Sequence, residues 1–331
     1  MSTAQSHART RGYILVCAAA ALIIPWSLVR AGRGIEERRA ADPQGEVEII
    51  SVTGKVEIDG WDRNEVEVTG TAGDDVERVD VSSTGNRTSI HVLGRSVHGW
   101  GSDAGPQLVL HVPARSAVTA SLVSADVKVN GVLGALSLRT VSGNVSGAVG
   151  GDLRANTVSG EVKLTATAAK FIEVRTISGD IRLTGGGGQV DVTTVSGTAI
   201  LEFAEVTRAR FKSISGDMST SLALAPDGQI EGESVSGGLR FQFASAPTAE
   251  FDVQAFSGDI RNCFGPKPVE SQYGSGSRLQ FKNGEGGHGS VRVNTKSGDV
   301  QLCVKGMSNK RVASLSSTRA TGGLRFLPYV L

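Results

Sequence analysis

Six residues, Thr-Ile-Ser-Gly-Asp-Ile from Thr176, recur in close copies along most of the chain. The copies read TVSGNV from Thr140, TVSGEV from Thr157, TVSGTA from Thr194, SISGDM from Ser213, SVSGGL from Ser234, AFSGDI from Ala255 and TKSGDV from Thr295. From serine to serine (Ser142, Ser159, Ser178, Ser196, Ser215, Ser236, Ser257, Ser297) the steps are 17, 19, 18, 19, 21, 21 and 40 residues, the last about two ordinary steps. A period near 20 is too short for a helical hairpin and fits a unit of one turn of chain. The expected architecture is all-β: a single-stack, β-helix-like solenoid of about 18–21 residues per coil.

Alignment on the serine shows what each unit buries. Six residues before it stand Leu136, Leu153, Ile172, Val190, Ala209, Ile230, Phe251 and Val291; three after it stand Val145, Val162, Ile181, Ala199, Met218, Leu239, Ile260 and Val300. Both columns are apolar, and the column four before the serine shares the face of the first, because side chains two apart on a strand point the same way. The positions between carry Arg175, Lys212, Glu233, Lys163, Arg182 and Arg240. Each unit therefore reads as strand, Ser-Gly corner, strand. The corner glycines (Gly143, Gly160, Gly179, Gly197, Gly216, Gly237, Gly258, Gly298) suit positive φ, and the serines suit hydroxyl-to-backbone bonds in a turn. Parity shifts across the corner, and the pattern leaves open whether the Thr or the Val before the serine points inward.

The chain of 331 residues holds 43 glycines and only 5% aromatics, a stock for turns and thin stacks. Residues 1–31 join a polar, Arg-bearing start to an uncharged apolar run, Tyr13–Val29, broken by Pro25. This is expected to be an N-terminal apolar helix that exports the chain. Cleavage near Ala31 and a retained membrane anchor both fit a run of this length. Cys17 lies inside it and reads as a small apolar residue. Residues 32–45 read as a charged linker. Residues 46–120 show strictly alternating short strands and are expected to cap the solenoid, with Ser51-Val-Thr-Gly54 a degenerate copy of the repeat. Residues 121–303 are the repeat array, opened by a transitional unit at Ser124, and residues 304–331 lose the period as a tail.

Net charge is +1; the first 40 residues carry six Arg against two Glu, leaving 28 basic and 31 acidic residues in the rest. That balance argues against a nucleic-acid partner.

The stretches GKVEIDGWDRNEVEVTGTA (54–72), LHVPARSAVTASLVSADVKVNGVLGALSLRTVSGNV (110–145) and the serial units ending in VRVNTKSGDVQL (291–302) resemble the bacterial putative-adhesin domain family. The resemblance covers about residues 46–303. It implies an exported β-solenoid at the cell envelope with a role in adhesion or envelope-stress sensing, and it transfers no catalytic residue. The partner it implies is a protein or glycan of the envelope, with the membrane added if the N-terminal segment is uncleaved.

No catalytic, cofactor or metal site is expected. Gly284-Glu-Gly-Gly-His-Gly289 fits a dinucleotide fingerprint in letters, but the β-pattern SVRVNT follows where a helix is needed. The acids two after the serine (Glu161, Asp180, Asp217, Asp259, Asp299, with Asn144) could line up for Ca²⁺, yet Thr198 and Gly238 interrupt them and solvated turn acids account for each. His91, His98 and His111 fall near early strands, close to Trp100, without a forced convergence that zinc would need. The serines lack a nucleophile elbow and a nearby base. The enzymatic alternative is polysaccharide cleavage on an outward face, with Asp180, Asp217, Arg182 and Arg240 the residues to test.

Cys263 and Cys303 each stand six residues after their repeat serines and are expected to form a disulfide. The pairing requires residues 264–290 to loop out. A full intervening coil would hold the strands about 9–10 Å apart, beyond bridging distance. Pro266 and Pro268 favour the loop.

Overall fold

The computed structural model describes residues 33–73, 76–94, 105–270, 276–286 and 288–306. The apolar N-terminal segment, Cys17, His98, Trp100 and the tail from residue 307 lie outside the described residues, as do the export expectations that rest on them. The described residues are all-β, with no helix, and 23 strands join one hydrogen-bonded sheet.

The repeat register sets the pairing. Leu136 pairs with Leu153, Leu153 with Ile172, Ile172 with Val190, and Val190 with Ala209, all parallel. Beyond the corner, Val145 pairs with Val162, Val162 with Ile181, and Ile181 with Ala199. Each coil thus lays one strand in each of two ladders, one before the Ser-Gly corner and one after it. Long strands such as Ala117–Val132 and Met218–Ser234 pass through both ladders and tie them into one sheet. The result is a solenoid-like stack with a continuous apolar interior from Val47 to Leu302. The columns six and four before the serine and three after it are buried throughout, and Arg175, Arg182, Lys163 and Arg240 are exposed.

The corner resolves the open parity. The residue two before the serine points inward: Thr140, Thr157, Thr194 and Ser213 are buried. The strand therefore keeps its alternation up to the serine and changes face only at the glycine. The expected positive φ holds at Gly143, Gly160, Gly179 and Gly197 but not at Gly216, Gly237, Gly258 or Gly298, where close approach rather than φ is what requires glycine. A Cβ on Gly216 would stand 2.2 Å from the carbonyl oxygen of Gly197, and one on Gly237 2.4 Å from that of Gly216.

Both ends depart from simple stacking in chain order. At the start, strand Glu46–Trp61 lies one layer in: it pairs with Ala117–Val132 on one side and with Arg87–Gly94 and Gln107–Pro113 on the other. Its Thr53 and Gly54 sit opposite Ser124 and Ala125, so SVTG occupies the corner of a true coil. The expected boundary at 120/121 falls inside a single strand, Ala117–Val132. Residues 32–45 are not a plain linker: Arg33–Ala40 is a strand, antiparallel to Glu65–Ala72. Its Glu36, Glu37, Arg38 and Arg39 charge the exposed edge, which discourages edge-to-edge pairing.

At the far end the last coil is inserted. Ile230 pairs with Val291, and Val291 with Phe251, so the Ser297 coil lies between those of Ser236 and Ser257. The described part of residues 264–290 forms neither an open loop nor a full coil. Ser277–Asn283 returns antiparallel along Ala249–Ala255 and closes the first ladder. Beneath it, Phe243, Phe251, Phe264 and Phe281 pack ring against ring, with Phe251 and Phe281 stacked at 4.5 Å. Aromatic bulk fills the end of the core, where no further coil supplies side chains. Cys263 and Cys303 are disulfide-bonded with Cα atoms 4.8 Å apart, because their coils are direct neighbours.

Candidate functional site

The outer surface is built of columns, one residue per coil. Three of the repeat serine hydroxyls point along the stack: Ser142 donates to the Val123 carbonyl at 3.5 Å, Ser159 to Val141 at 3.3 Å and Ser196 to Ile177 at 3.3 Å. Thr140, Thr157 and Thr194 close the corner within their own coil, each donating to the carbonyl of its repeat serine at 3.1 Å, whereas the buried Thr176 and Thr295 hydroxyls find no partner. The bonded hydroxyls are committed to backbone, and none is paired with a general base.

Most of the acidic column is committed too, Glu161 and Asp259 serving only as recipients. Asp126 accepts the backbone N–H of Asn144 at 2.8 Å, Asn144 that of Glu161 at 3.0 Å, Asp180 that of Thr198 at 2.8 Å, Asp217 that of Gly238 at 2.7 Å, and Asp299 that of Asp259 at 3.0 Å. Each side-chain oxygen caps the amide of the next coil, which the change of face at the corner takes out of the ladder. This explains the short acid or amide at these positions, and why Thr198 and Gly238 can interrupt the column as recipients. Among the described residues no group of three or more His, Cys, Asp or Glu is placed to hold a metal ion. Arg182 pairs with Glu161 at 3.4 Å, and Arg240 lies beside Asp217 and Asp299 in a shallow trough along the corner. Asp180 and Asp217 stand two coils apart, about 10 Å by strand spacing. His111 stacks on Trp61 at 4.9 Å and lies opposite Asp59, whereas His91 lies opposite Ile50, nine residues back along the same strand, so the two imidazoles do not converge. The Gly284 motif runs into strand Gly289–Thr295, where a dinucleotide site needs a helix.

The feature that alternation alone did not settle is the column just before the serine. Val123, Val141, Val158, Ile177, Val195, Ile214 and Val235 point outward, each 36–51% exposed. They form a single-file apolar row down the outside of the stack. Carrying the even-numbered alternation up to the serine would have found it. Two copies break the row: TKSGDV places Lys296 in it, and AFSGDI places Phe256, 81% exposed. In space these two are neighbours, following Val235 in the order Val235, Lys296, Phe256. Here a groove of about 1360 Å³ opens between the row and the returning hairpin, lined by Val195, Ile214, Val235, Lys296, Phe256, Val269 and Arg278 among others.

Electrostatics on this surface are those of exposed ion pairs. The Arg210 guanidinium holds the Glu231 carboxyl below its usual value, and Arg87 does the same for Glu48 at the opposite end. Glu57 raises Lys128.

Solved structures that match the chain include a putative cell adhesion protein from Clostridium sporogenes, 9% identical over 82% of this chain and 100% of that one, with a TM-score of 0.20. A putative adhesin from Bacteroides fragilis is 10% identical over 82% and 97%, TM-score 0.39. A putative lipid binding protein from Parabacteroides distasonis is 12% identical over 82% and 97%, TM-score 0.35. Likeness at this level says nothing of a ligand. No curated protein matches the chain. The sequence model of one family matches residues 45–303, most of the chain, and this protein belongs to that family, Toastrack DUF4097.

Proposed function

We propose that this chain is an exported, non-enzymatic module whose stack serves as an adhesin-like interaction or scaffold surface in the bacterial cell envelope. The observation that carries the reading is the outward apolar row from Val123 to Val235, which runs over seven successive coils. Isolated surface apolar residues are ordinary, but a contiguous row marks a contact surface. Seven layers span about 30 Å at strand spacing, the reach of an extended protein or glycan partner. The commitment of Asp126, Asp180, Asp217 and Asp299, and of the Ser142, Ser159 and Ser196 hydroxyls, to backbone supports a binding role over hydrolysis. The apolar run at residues 13–29 supports export, with the mature chain tethered or released in the periplasm or at the surface.

Two measurements test it. A reporter active only outside the cytoplasm, fused after residue 303, is expected to be active; activity of a cytoplasmic reporter alone defeats the export reading. Purified protein is expected to bind an envelope glycan or surface protein without forming product, and Ile177→Asp is expected to weaken that binding. Cleavage products from a polysaccharide, lost in Asp217→Asn, would establish the enzymatic alternative instead.

A further inference from the structure

The groove at the end of the stack has a composition that selects its occupant. Its floor is the last stretch of the apolar row, Val195, Ile214 and Val235, one side chain wide. The floor's backbone is already paired between coils. Val235 N–H donates to Ser213, Ser236 N–H to Ile214, Lys296 N–H to Ser234 and Ser297 N–H to Val235. A peptide laid here would find no ladder to join. An occupant without hydrogen-bonding needs along its length meets no such penalty.

The charges are also distributed unevenly. Lys212 is matched by Glu233 at 2.9 Å, and Arg278 leans on Asp252 at 3.7 Å. Lys296 has no carboxylate within ion-pair distance among the described residues, and Glu270, the other acid lining the groove, does not reach it. Lys296 is therefore the cation available to an incoming anion, at the end of an apolar lane. Past it, Phe256 and Val269 form an apolar lip.

We propose that this groove binds a medium-chain fatty acid, its carboxylate on Lys296 and its alkyl chain along Val235, Ile214 and Val195. From Lys296 to Val195 is three strand spacings, about 14 Å. An extended chain of about twelve carbons, with bonds of about 1.5 Å projecting to about 1.25 Å each, has that length. The site goes beyond the surface reading above and stands without it, since it needs neither export nor a macromolecular partner.

Titration calorimetry of the folded protein with dodecanoate, below its micelle concentration, tests the site. Dodecanoate is expected to bind at least ten-fold more tightly than octanoate, because each buried methylene strengthens binding several-fold, with no comparable gain beyond twelve carbons. Lys296→Met is expected to weaken dodecanoate about ten-fold and leave dodecan-1-ol unchanged. Ile214→Asp is expected to abolish binding of both. Both residues are exposed, so the variants should melt as the parent does, and melting curves check this. Absence of dodecanoate binding, equal affinity for octanoate, or an unchanged affinity in Lys296→Met would each overturn the proposal. Co-sedimentation with anionic phospholipid vesicles without binding of monomeric dodecanoate would overturn it in favour of a membrane surface. The two readings share Val195, Ile214 and Val235 but are told apart: failure of dodecanoate binding leaves the reporter and the binding of a partner along Val123 to Ile177 as they were, and failure of those leaves dodecanoate binding as it was.

Discussion

Gly298 lies against Gly237, 61 residues earlier, so closely that a Cβ on Gly298 would stand 2.2 Å from the Gly237 carbonyl oxygen. Gly258 lies against Gly298 in the same way, at 2.4 Å. The chain's last coil is thus held inside the stack, between two coils laid down before it. Strand Glu46–Trp61 is held one layer in at the other end. Unwinding the Ser297 coil must then break pairing on two sides of a strand rather than one, which raises the free energy of local opening.

The corner glycine column predicts a steric test. Gly216→Ala places a methyl where the Gly197 carbonyl stands, and a loss of about 2–3 kcal/mol is expected. Ser159→Ala removes only an exposed hydroxyl bond and should lose about 0.5 kcal/mol. Urea unfolding of the two variants checks the contrast, and equal losses would contradict the close-approach account.

Facing is tested at adjacent residues. Ile181→Asp puts an unpaired charge among stacked apolar side chains and should abolish cooperative unfolding. Arg182→Ala, exposed and paired only with Glu161 at 3.4 Å, should shift stability by about 0.5 kcal/mol. Circular dichroism melts separate the two.

The buried threonines should not behave alike. Thr157 donates to the Ser159 carbonyl, and Thr157→Val should lose about 1 kcal/mol. The Thr176 hydroxyl is buried without a partner, so Thr176→Val should be neutral or stabilising. A loss at Thr176 as large as at Thr157 would show that its hydroxyl is bonded in solution.

The disulfide joins Cys263 to Cys303 and closes 40 residues. In the chain-entropy model such a loop is worth about 4 kcal/mol. Peptide mapping without reductant should recover the two linked. After reduction, amide exchange should quicken in residues 249–262 and 289–304 while the coils around Ser159 and Ser178 stay protected. Uniform quickening throughout would mean that the stack opens as one unit.

Acid should weaken the pairs that depress carboxyls. Glu231 is held below its ordinary value of 4.5 by Arg210, so the folded state binds fewer protons than the unfolded one. Its contribution is present above the unfolded pKa and lost as pH falls through the folded one. The pair is exposed and screened, which limits the effect to about 0.5 kcal/mol. Glu231→Gln should flatten the acid limb of a stability-versus-pH curve by that amount, and an unchanged limb would show the pair to be idle.

The sequence by itself determined the unit and its register. Apolar residues six and four before each serine and three after it can be buried only if coil lies on coil in phase, because one coil has too little surface to bury them alone. The shared position of Cys263 and Cys303 was equally legible, since it follows from the same count. What tertiary structure decided was the order of layers and the surface they make. Serine-to-serine spacing is blind to whether Ser297's coil sits above or below Ser257's; the hairpin Ser277–Asn283 and the aromatic cap of Phe251, Phe264 and Phe281 fix it, by closing one side of Ala249–Ala255 and leaving the other to the last coil. That inversion sets Lys296 beside Val235 and Phe256, residues 61 and 40 positions away, and so makes a groove that no local pattern contains.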